Sequence, residues 1–346
     1  MVASVAVLIA VCVIVPMSVR TRAIRDRALA DRLAWVGLTA MGFFSSLFVM
    51  TVLRDILLLI VALVAGSRAD AWTTPSAIAT LLITALVTAI GMVIARQRPR
   101  IVKIDIPVAN LPESLRGFSI AQISDVHVGP TIKRPFVESV VRRVNALRAD
   151  MVAVTGDLVD GSVPQLAAHT APLGGLTARH GTFFVTGNHE YYSGERAWTH
   201  ELRRLGLRVL KNEHVVLQHN GSAIVLAGVT DVSAHHFDPA QQSDPAAALN
   251  GAPAGAGARI LLAHQPSSAE AAANAGFDLQ LSGHTHGGQF WPWNLFVHLF
   301  QPFTSGLHRL RNLWVYVSRG TGYWGPPNRF GVPSEITHIR LVPAAP

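Results

Sequence analysis

Five short clusters in this chain set side chains that can do metal or acid–base chemistry beside glycines and apolar runs. In order they are SDVHVG with Asp125 and His127, TGDLVDG with Asp157 and Asp160, TGNHEYY with Asn188, His189 and Glu190, LLAHQP with His264, and LSGHTHGG with His284 and His286. Imidazole, carboxylate and amide oxygen all suit divalent cations of intermediate softness. Two such ions held roughly 3.5–4 Å apart need a bridging carboxylate and several imidazole or oxygen ligands around it. Glycine precedes Asp157, Asn188 and His284, where it lets the backbone turn sharply and approach an ion. Asp125 and His127 stand two apart, so an extended backbone would aim both side chains the same way.

These clusters need elements to carry them, and each follows a short apolar run. Phe118–Ser124, Met151–Thr155, Thr182–Thr186, Ile224–Val229, Ile260–Ala263, Leu279–Leu281 and Trp314–Ser318 read as strands. Arg134–Leu147 repeats Val137, Val140, Val141, Val144 and Leu147 at helical spacing, and Glu195–Leu205 reads as a second helix. Strands and helices alternate early and strands dominate later, which predicts an α/β domain with two mixed sheets and outer helices. In such folds the loops beyond the carboxyl ends of the strands converge, so five strand ends can share one site. Pro245–Gly257, rich in Ala, Gly and Pro, reads as a flexible insertion without chemistry.

A different texture precedes residue 100. The 346-residue chain is 50% hydrophobic and only 14% charged, with a mean hydropathy of +0.33, too apolar for an ordinary soluble protein. Met1–Val19, Ala34–Leu53 and Ala71–Ala95 carry no charge, and each is long enough to span a bilayer as a helix. The shorter run at 56–66 either extends the second helix or forms a separate piece. No Lys or Arg precedes the first segment's apolar run, which favours an uncleaved helix over a signal peptide. All 15 histidines follow residue 100. The domains expected are thus 1–100, a membrane region of about three helices, and 101–346, a catalytic domain.

The net charge of +8 is unevenly spread. Residues 1–100 hold 10 Lys+Arg against 4 Asp+Glu, a balance of +6, and residues 101–346 hold 19 against 17, a balance of +2. The basic excess therefore belongs to membrane flanks, and no nucleic-acid partner is expected. Arg20, Arg22, Arg25, Arg27 and Arg32 follow the first segment, Arg96, Arg98, Arg100 and Lys103 follow the last, and Arg68 stands alone between. With three crossings the positive-inside rule puts the C-terminal domain in the cytoplasm, and a fourth crossing at 56–66 would reverse it. The single cysteine, Cys12, excludes an intrachain disulfide.

The ordered blocks D-x-H, G-D-x-x-D, G-N-H-E, H and G-H-x-H resemble the signature of the calcineurin-like metallophosphoesterases, over roughly residues 115–342. The resemblance implies a four-layer α/β/β/α sandwich of two mixed sheets. It implies two divalent metal ions, with Mn, Fe, Zn or Co equally suited. One would take Asp125, His127, Asp157 and His286, and the other Asp157, Asn188, His264 and His284, with Asp157 bridging. It implies His189 as the general acid, oriented by Asp160, in an in-line attack on phosphorus.

The pattern also departs from the family. The protein-phosphatase branch follows G-D-x-x-D with Arg-Gly, whereas Asp160 is followed here by Gly161 and Ser162, which argues against a protein phosphatase. The segment Ser318–Thr337, SRGTGYWGPPNRFGVPSEIT, resembles the tail of a membrane-associated bacterial branch that includes UDP-2,3-diacylglucosamine pyrophosphatase-like enzymes. Arg319 and Arg329 within it are candidates to grip phosphate. Phe290–Phe303 is aromatic and uncharged; it either packs between the sheets or forms a lip that touches lipid. His298 and His308 are not expected to ligate. The expected protein is a membrane-anchored phosphoesterase whose partners are membrane lipids and a phosphoester or pyrophosphate, lipid-linked or nucleotide-lipid in character. The alternatives are an anchored phosphatase of small soluble esters and a non-catalytic membrane sensor or regulator.

Overall fold

The computed structural model describes residues 11–18, 21, 24, 26–65 and 70–344. It divides into two compact units, one of Met1–Gln97 with Gln289–Leu295 and Gly325–Val332, the other of Arg98–Gly288, Phe296–Trp324 and Pro333–Pro346. The first part of the Met1–Val19 segment lies outside the described residues.

The first unit is helical: α1 at residues 11–18, α2 at Arg27–Ala65 and α3 at Asp70–Arg96. Among the described residues α2 and α3 are long and apolar enough to cross a membrane. The run at 56–66 continues α2 without a break as far as Ala65, so it makes no separate helix. At ~1.5 Å per residue α2 is nearly 60 Å long, about twice the thickness of a bilayer's hydrocarbon core. Its internal Arg54 is satisfied locally: Nε donates to Ser76 Oγ at 2.9 Å, Nη2 to the Thr73 carbonyl at 2.7 Å and Nη1 to Asp55 at 2.7 Å. On α3 the buried residues Thr80, Thr84, Thr88, Gly91 and Ala95 recur every three or four positions, a face of small side chains that admits close packing.

Two loop segments use that smallness. A β carbon at Gly91 would collide with the Asn328 side chain, and one at Gly42 would lie 2.9 Å from Pro326. The Arg329 N–H donates to the Gly91 carbonyl at 3.0 Å. Gln289 Nε2 donates to the Pro326 carbonyl at 3.0 Å, and the Trp291 N–H to the Phe330 carbonyl at 2.9 Å. Gln289–Leu295 and Gly325–Val332 are thereby tied to each other within the helical unit.

The second unit is an α/β sandwich. One sheet runs β1 (Arg100–Val108), β12 (Glu335–Pro343), β2 (Ser119–Ile123), β3 (Met151–Val154), β4 (Thr182–Phe184) and β5 (Arg208–Val209). The other runs β10 (Gly306–Leu310), β11 (Leu313–Val317), β9 (Leu279–Ser282), β8 (Ala258–Leu262), β7 (Ser222–Gly228) and β6 (Glu213–His219). Both are mixed: β2 to β5 are parallel and β12 is antiparallel to β2, while β7, β8, β9 and β11 are parallel and flanked by antiparallel β6 and β10.

The strand period of two sorts side chains between layers. Ile120, Met151, Ala153 and Phe183 face the other sheet and join Leu226, Ile260, Leu279 and Tyr316 in an inter-sheet core. Ala121, Ile123, Val152, Val154 and Phe184 point the opposite way, to Val137, Val140, Val141 and Val144 of α4 (Arg134–Ala146) and to Trp198 and Leu202 of α7 (Glu195–Arg204). Leu261, Val315 and Val317 pack under Ala269 and Ala272 of α8 (Ala269–Ala275). Two shorter helices, α5 (Val163–Thr170) and α6 (Asn188–Ser193), complete the set.

Two expectations are corrected here. Pro245–Gly257 is not wholly a loose insertion: Ala247–Leu249 forms a helical turn, Ala248 is fully buried against the second sheet's outer cluster, and its carbonyl accepts from His214 Nδ1 at 2.8 Å. Phe290–Phe303 contributes nothing to the inter-sheet core. Phe290 is buried, Trp293, Leu295, Phe296, Leu299 and Phe300 are exposed, and Phe303 packs beside the outer cluster.

Candidate metal centre

Each of the five clusters lies just beyond the carboxyl end of a parallel strand. Asp125 and His127 follow β2, Asp157 and Asp160 follow β3, Asn188 and His189 open α6 after β4, His264 follows β8, and His284 and His286 follow β9. Their backbones are not extended. Asp125 has φ 53°, His127 53°, Asp157 54°, His284 70° and His286 52°. The expected extended pointing of Asp125 and His127 is therefore replaced by left-handed turns, each costing roughly 1–3 kcal/mol for a residue with a β carbon.

The glycines serve this crowding. At Gly156, φ is +88°, and a β carbon would lie 2.7 Å from both the Gly187 nitrogen and His264 Nδ1. A β carbon at Gly187 would fall on the Asp157 carboxylate, and one at Gly283 on Ser124 Oγ and the Asp125 carboxylate. Room for neighbouring carboxylates, more than approach to an ion, is what these two positions require.

Three sets of three side chains bring ligand atoms within 4.8 Å of one another: Asp125, His127 and His286; Asp157, His264 and His284; and His127, Asp160 and His189. His127 Nε2 is 3.1 Å from His286 Nε2, which is 3.5 Å from Asp125 Oδ1. Asp157 Oδ2 reaches toward both groups, 3.2 Å from His264 Nε2 and 3.8 Å from His127 Nε2. The first two sets hold six of the seven residues in the two implied ligand groups; Asn188 is in neither, and Asp157 is in the second set alone.

Cations fit this arrangement on its own chemistry. Asn188 Oδ1 is buried and has no hydrogen-bond partner, a costly state for a group that seeks one. His264 Nδ1 is 2.7 Å from the Thr155 carbonyl, which only accepts, so Nδ1 carries the proton. In the neutral ring, Nε2 then presents a lone pair to Asp157 Oδ2 at 3.2 Å. Two acceptors face each other there stably only with a proton or a cation between them.

The electrostatics describe the same negative well. Burial opposes the charge on His264, yet Asp157 raises its pKa well above the ordinary value. Burial alone would raise Asp157, but His264 and then His189 hold it far below the carboxylate range. His284, by contrast, is pushed down to about 3 by burial and then by His264, so it is a neutral, ligand-competent ring. His189 lies against Asp160, with Nδ1 2.5 Å from Oδ1. Burial works against its charge, but the Asp160 hydrogen bond and Asp157 overcome that and raise it to about 9. Its backbone N–H donates to Asp157 Oδ1 at 2.9 Å.

Sequence reasoning assigned no role to Glu190. Its fully buried carboxylate accepts from the backbone N–H groups of Gly187 at 2.7 Å, Asp157 at 2.9 Å and Leu158 at 2.8 Å. It pins the Asp157 loop to the Asn188 loop. The signal was available: Glu190 stands three residues after Gly187, the spacing of a capping box.

Arg319 is partly exposed, with Nη1 3.9 Å from Glu335 Oε2. Arg329 is fully buried. His308 Nε2 bonds the Ser305 carbonyl at 2.9 Å.

The calcineurin-like phosphoesterase profile matches residues 118–288. The chain is 41% identical over 269 residues to a zebrafish (Danio rerio) transmembrane protein with metallophosphoesterase domain, covering 75% of this chain and 61% of that one. It is 39% identical over 251 residues to an uncharacterized metallophosphoesterase of Helicobacter pylori, covering 71% and 65%. It is 32% identical over 333 residues to another from Campylobacter jejuni, covering 92% of this chain and 84% of that one. The chain thus spans about six tenths of the length of the vertebrate relatives it matches. With the five motifs on neighbouring strand ends of a two-sheet sandwich and this likeness along most of its length, the chain belongs to the calcineurin-like metallophosphoesterase family.

Proposed function

We propose that this protein is a membrane-anchored phosphoesterase that holds two divalent cations and hydrolyses a phosphoester or pyrophosphate bond in a lipid-linked substrate. The observation that carries the reading is Asp157 Oδ2 lying between two ligand sets, 3.2 Å from His264 Nε2 and 3.8 Å from His127 Nε2, with Asn188 Oδ1 buried and unpartnered. In this reading Asp125, His127 and His286 hold one cation, Asn188, His264 and His284 the other, and Asp157 both. Bound cations would supply Lewis acidity toward a phosphoryl oxygen and a more acidic water. Asp160 orients the His189 imidazole, which delivers a proton to the leaving oxygen. Glu190 keeps the Asp157 and Asn188 loops in register. Arg319 and Arg329 stay candidates for phosphate contact.

The two apolar helices and the relative named as a transmembrane protein support anchoring. Exposed Trp293 and Leu295 in the helical unit support a lip that touches lipid, which favours a lipid-linked substrate over a soluble one. The diacylglucosamine-pyrophosphatase-like branch is one form such a substrate could take. The arginine pattern on the chain's flanks favours a cytoplasmic catalytic domain. Full-length protein in lipid nanodiscs, loaded in turn with Mn, Fe, Zn or Co, should release phosphate or a phosphorylated headgroup from lipid extracts, read by mass. Two cations per chain without hydrolysis of any extract or generic ester would refute the enzyme reading in favour of a sensor.

A further inference from the structure

Three large aromatic side chains crowd His189 or its neighbour without being buried. Tyr192 meets the His189 ring at 5.3 Å between centroids and 72°, and Trp324 meets it at 5.6 Å and 73°. Phe237 extends the row, 5.7 Å from Tyr192. Tyr192 is 52% exposed, Phe237 50% and Trp324 50%. They come from three separate places in the chain: the α6 helix, the loop after β7 and the loop after β11. Local sequence therefore does not explain their meeting. Nor does packing, since none of the three belongs to a core cluster of the sandwich. Half-exposed aromatic rings gathered at a concave site are what recognition surfaces use.

Their position says what they would recognise. His189 is the group assigned above to protonate the leaving oxygen, so rings that touch His189 border the space the leaving group enters. Phe237 and Tyr191, 5.5 Å apart, also line an adjoining cavity of about 550 Å³ with Glu195, Arg196, Asp238 and Gln241, whose lining does not include His189, Tyr192 or Trp324. That volume is in the range of small-molecule sites. A flat ring gains from aromatic neighbours through its quadrupole as well as its area, whereas an alkyl chain gains from area alone. We infer that Tyr192, Phe237 and Trp324 form a stacking rim, and that the preferred substrate is a phosphoester whose leaving group carries a planar aromatic ring, of the aryl or nucleoside class. The inference rests on the phosphoesterase reading and on His189 facing the leaving group.

The test uses the full chain, metal-loaded, with three monoesters of similar leaving alkoxides: 2-naphthylmethyl, cyclohexylmethyl and n-butyl phosphate. Wild type should show the highest kcat/KM for the naphthylmethyl ester. Trp324→Leu and Tyr192→Leu should each cut the naphthylmethyl-to-cyclohexylmethyl ratio roughly tenfold, mainly through KM, and Trp324→Phe should restore most of it. Metal content and melting temperature, read on the same samples, separate misfolding from loss of stacking. Adenosine 5′-monophosphate as competitor distinguishes the nucleoside source from a simple aryl one. Equal preference for the naphthylmethyl and cyclohexylmethyl esters would overturn the planar-ring inference while leaving the phosphoesterase reading intact. If protein that hydrolyses lipid extracts turns over none of the three esters, the inference fails alone; if it hydrolyses neither, the phosphoesterase reading fails and the inference with it.

Discussion

Replacing Glu190 with Gln keeps the side chain's shape and changes one acceptor oxygen into an amide nitrogen. The native carboxylate receives three backbone N–H groups, two on Oε2 from Gly187 and Asp157 and one on Oε1 from Leu158. However the amide turns, at least one buried N–H then faces another N–H. An unpaired buried donor costs ~1–3 kcal/mol, and the remaining bonds lose the help of the charge. A total of about 2–4 kcal/mol follows, which for a unit of this size lowers the melting temperature by roughly 5–15 °C. The same loss frees the Asp157 loop from the Asn188 loop, so metal affinity should fall by about 10–100-fold, as for other residues that hold ligands in place. Thermal unfolding and metal content of the purified full chain would be measured with excess cation and after chelation. There is a definite way for this reasoning to fail. Burial, and after it Asp157, push Glu190 up to about 8, so the group could sit as the neutral acid, whose hydrogen-bonding capacity an amide imitates. A Glu190→Gln variant that melts within a degree of wild type and retains its cations would show that the carboxylate clamp does not exist.

Asp157→Asn should abolish hydrolysis of a generic phosphodiester and reduce the bound metal, because one carboxylate lies between both ligand sets; activity near wild type with two cations per chain would remove the shared-ligand arrangement. His189→Ala should retain its metal yet lose ~10²–10⁴-fold in turnover, with a smaller loss for esters of acidic alcohols, whose leaving oxygens need no proton; metal loss in this variant would make His189 a ligand instead. The double change of Trp291 and Trp293 to Ser should impair a lipid-linked ester several-fold more than a soluble one, and equal losses with a fall in melting temperature would mean the two rings serve packing alone.

The inner strands were readable because they are short, apolar and bounded by glycine or polar residues. Met151–Thr155 and Ile260–Ala263 were expected within a residue or two of β3 and β8. The outer strands were not read. β1 carries Arg100, Lys103 and Asp105, β6 carries Glu213 and His214, and β12 carries His338 and Arg340. On an edge or a half-solvated face such charges sit comfortably, yet along the chain they look like a membrane flank or a loop. The site was readable as a set of residue types, since ligands must be His, Asp or Asn wherever they fall. Its backbone was not, because left-handed Asp125 and His127 are imposed by contacts such as the Asp125 N–H to the Gly156 carbonyl at 3.0 Å. Arg329 shows the limit most plainly: along the chain it reads as a candidate phosphate ligand, and nothing local shows that its segment packs against Gly91 in the helical unit.

The strain at these strand ends bears on how the site came to be so ordered. Five of the seven proposed ligands hold left-handed backbones, and buried carboxylates at Asp125, Asp157 and Glu190 gather within one site. Neither feature stabilises the fold by itself; burial drives Asp125 toward its neutral form, and each left-handed residue adds its own cost. What offsets them is a lattice of backbone donors: His284 N–H to Asp125 at 2.9 Å, His189 N–H to Asp157 at 2.9 Å and three N–H groups to Glu190. All of these bonds except that from Gly187 join one strand end to another, across the two sheets in the case of His284 and Asp125. The carboxylates therefore act twice, as anchors for neighbouring loops through one set of lone pairs and as a negative well for cations through the other. Such a site is preorganised before any cation arrives, so cation binding should stabilise the sandwich by mass action without remodelling it.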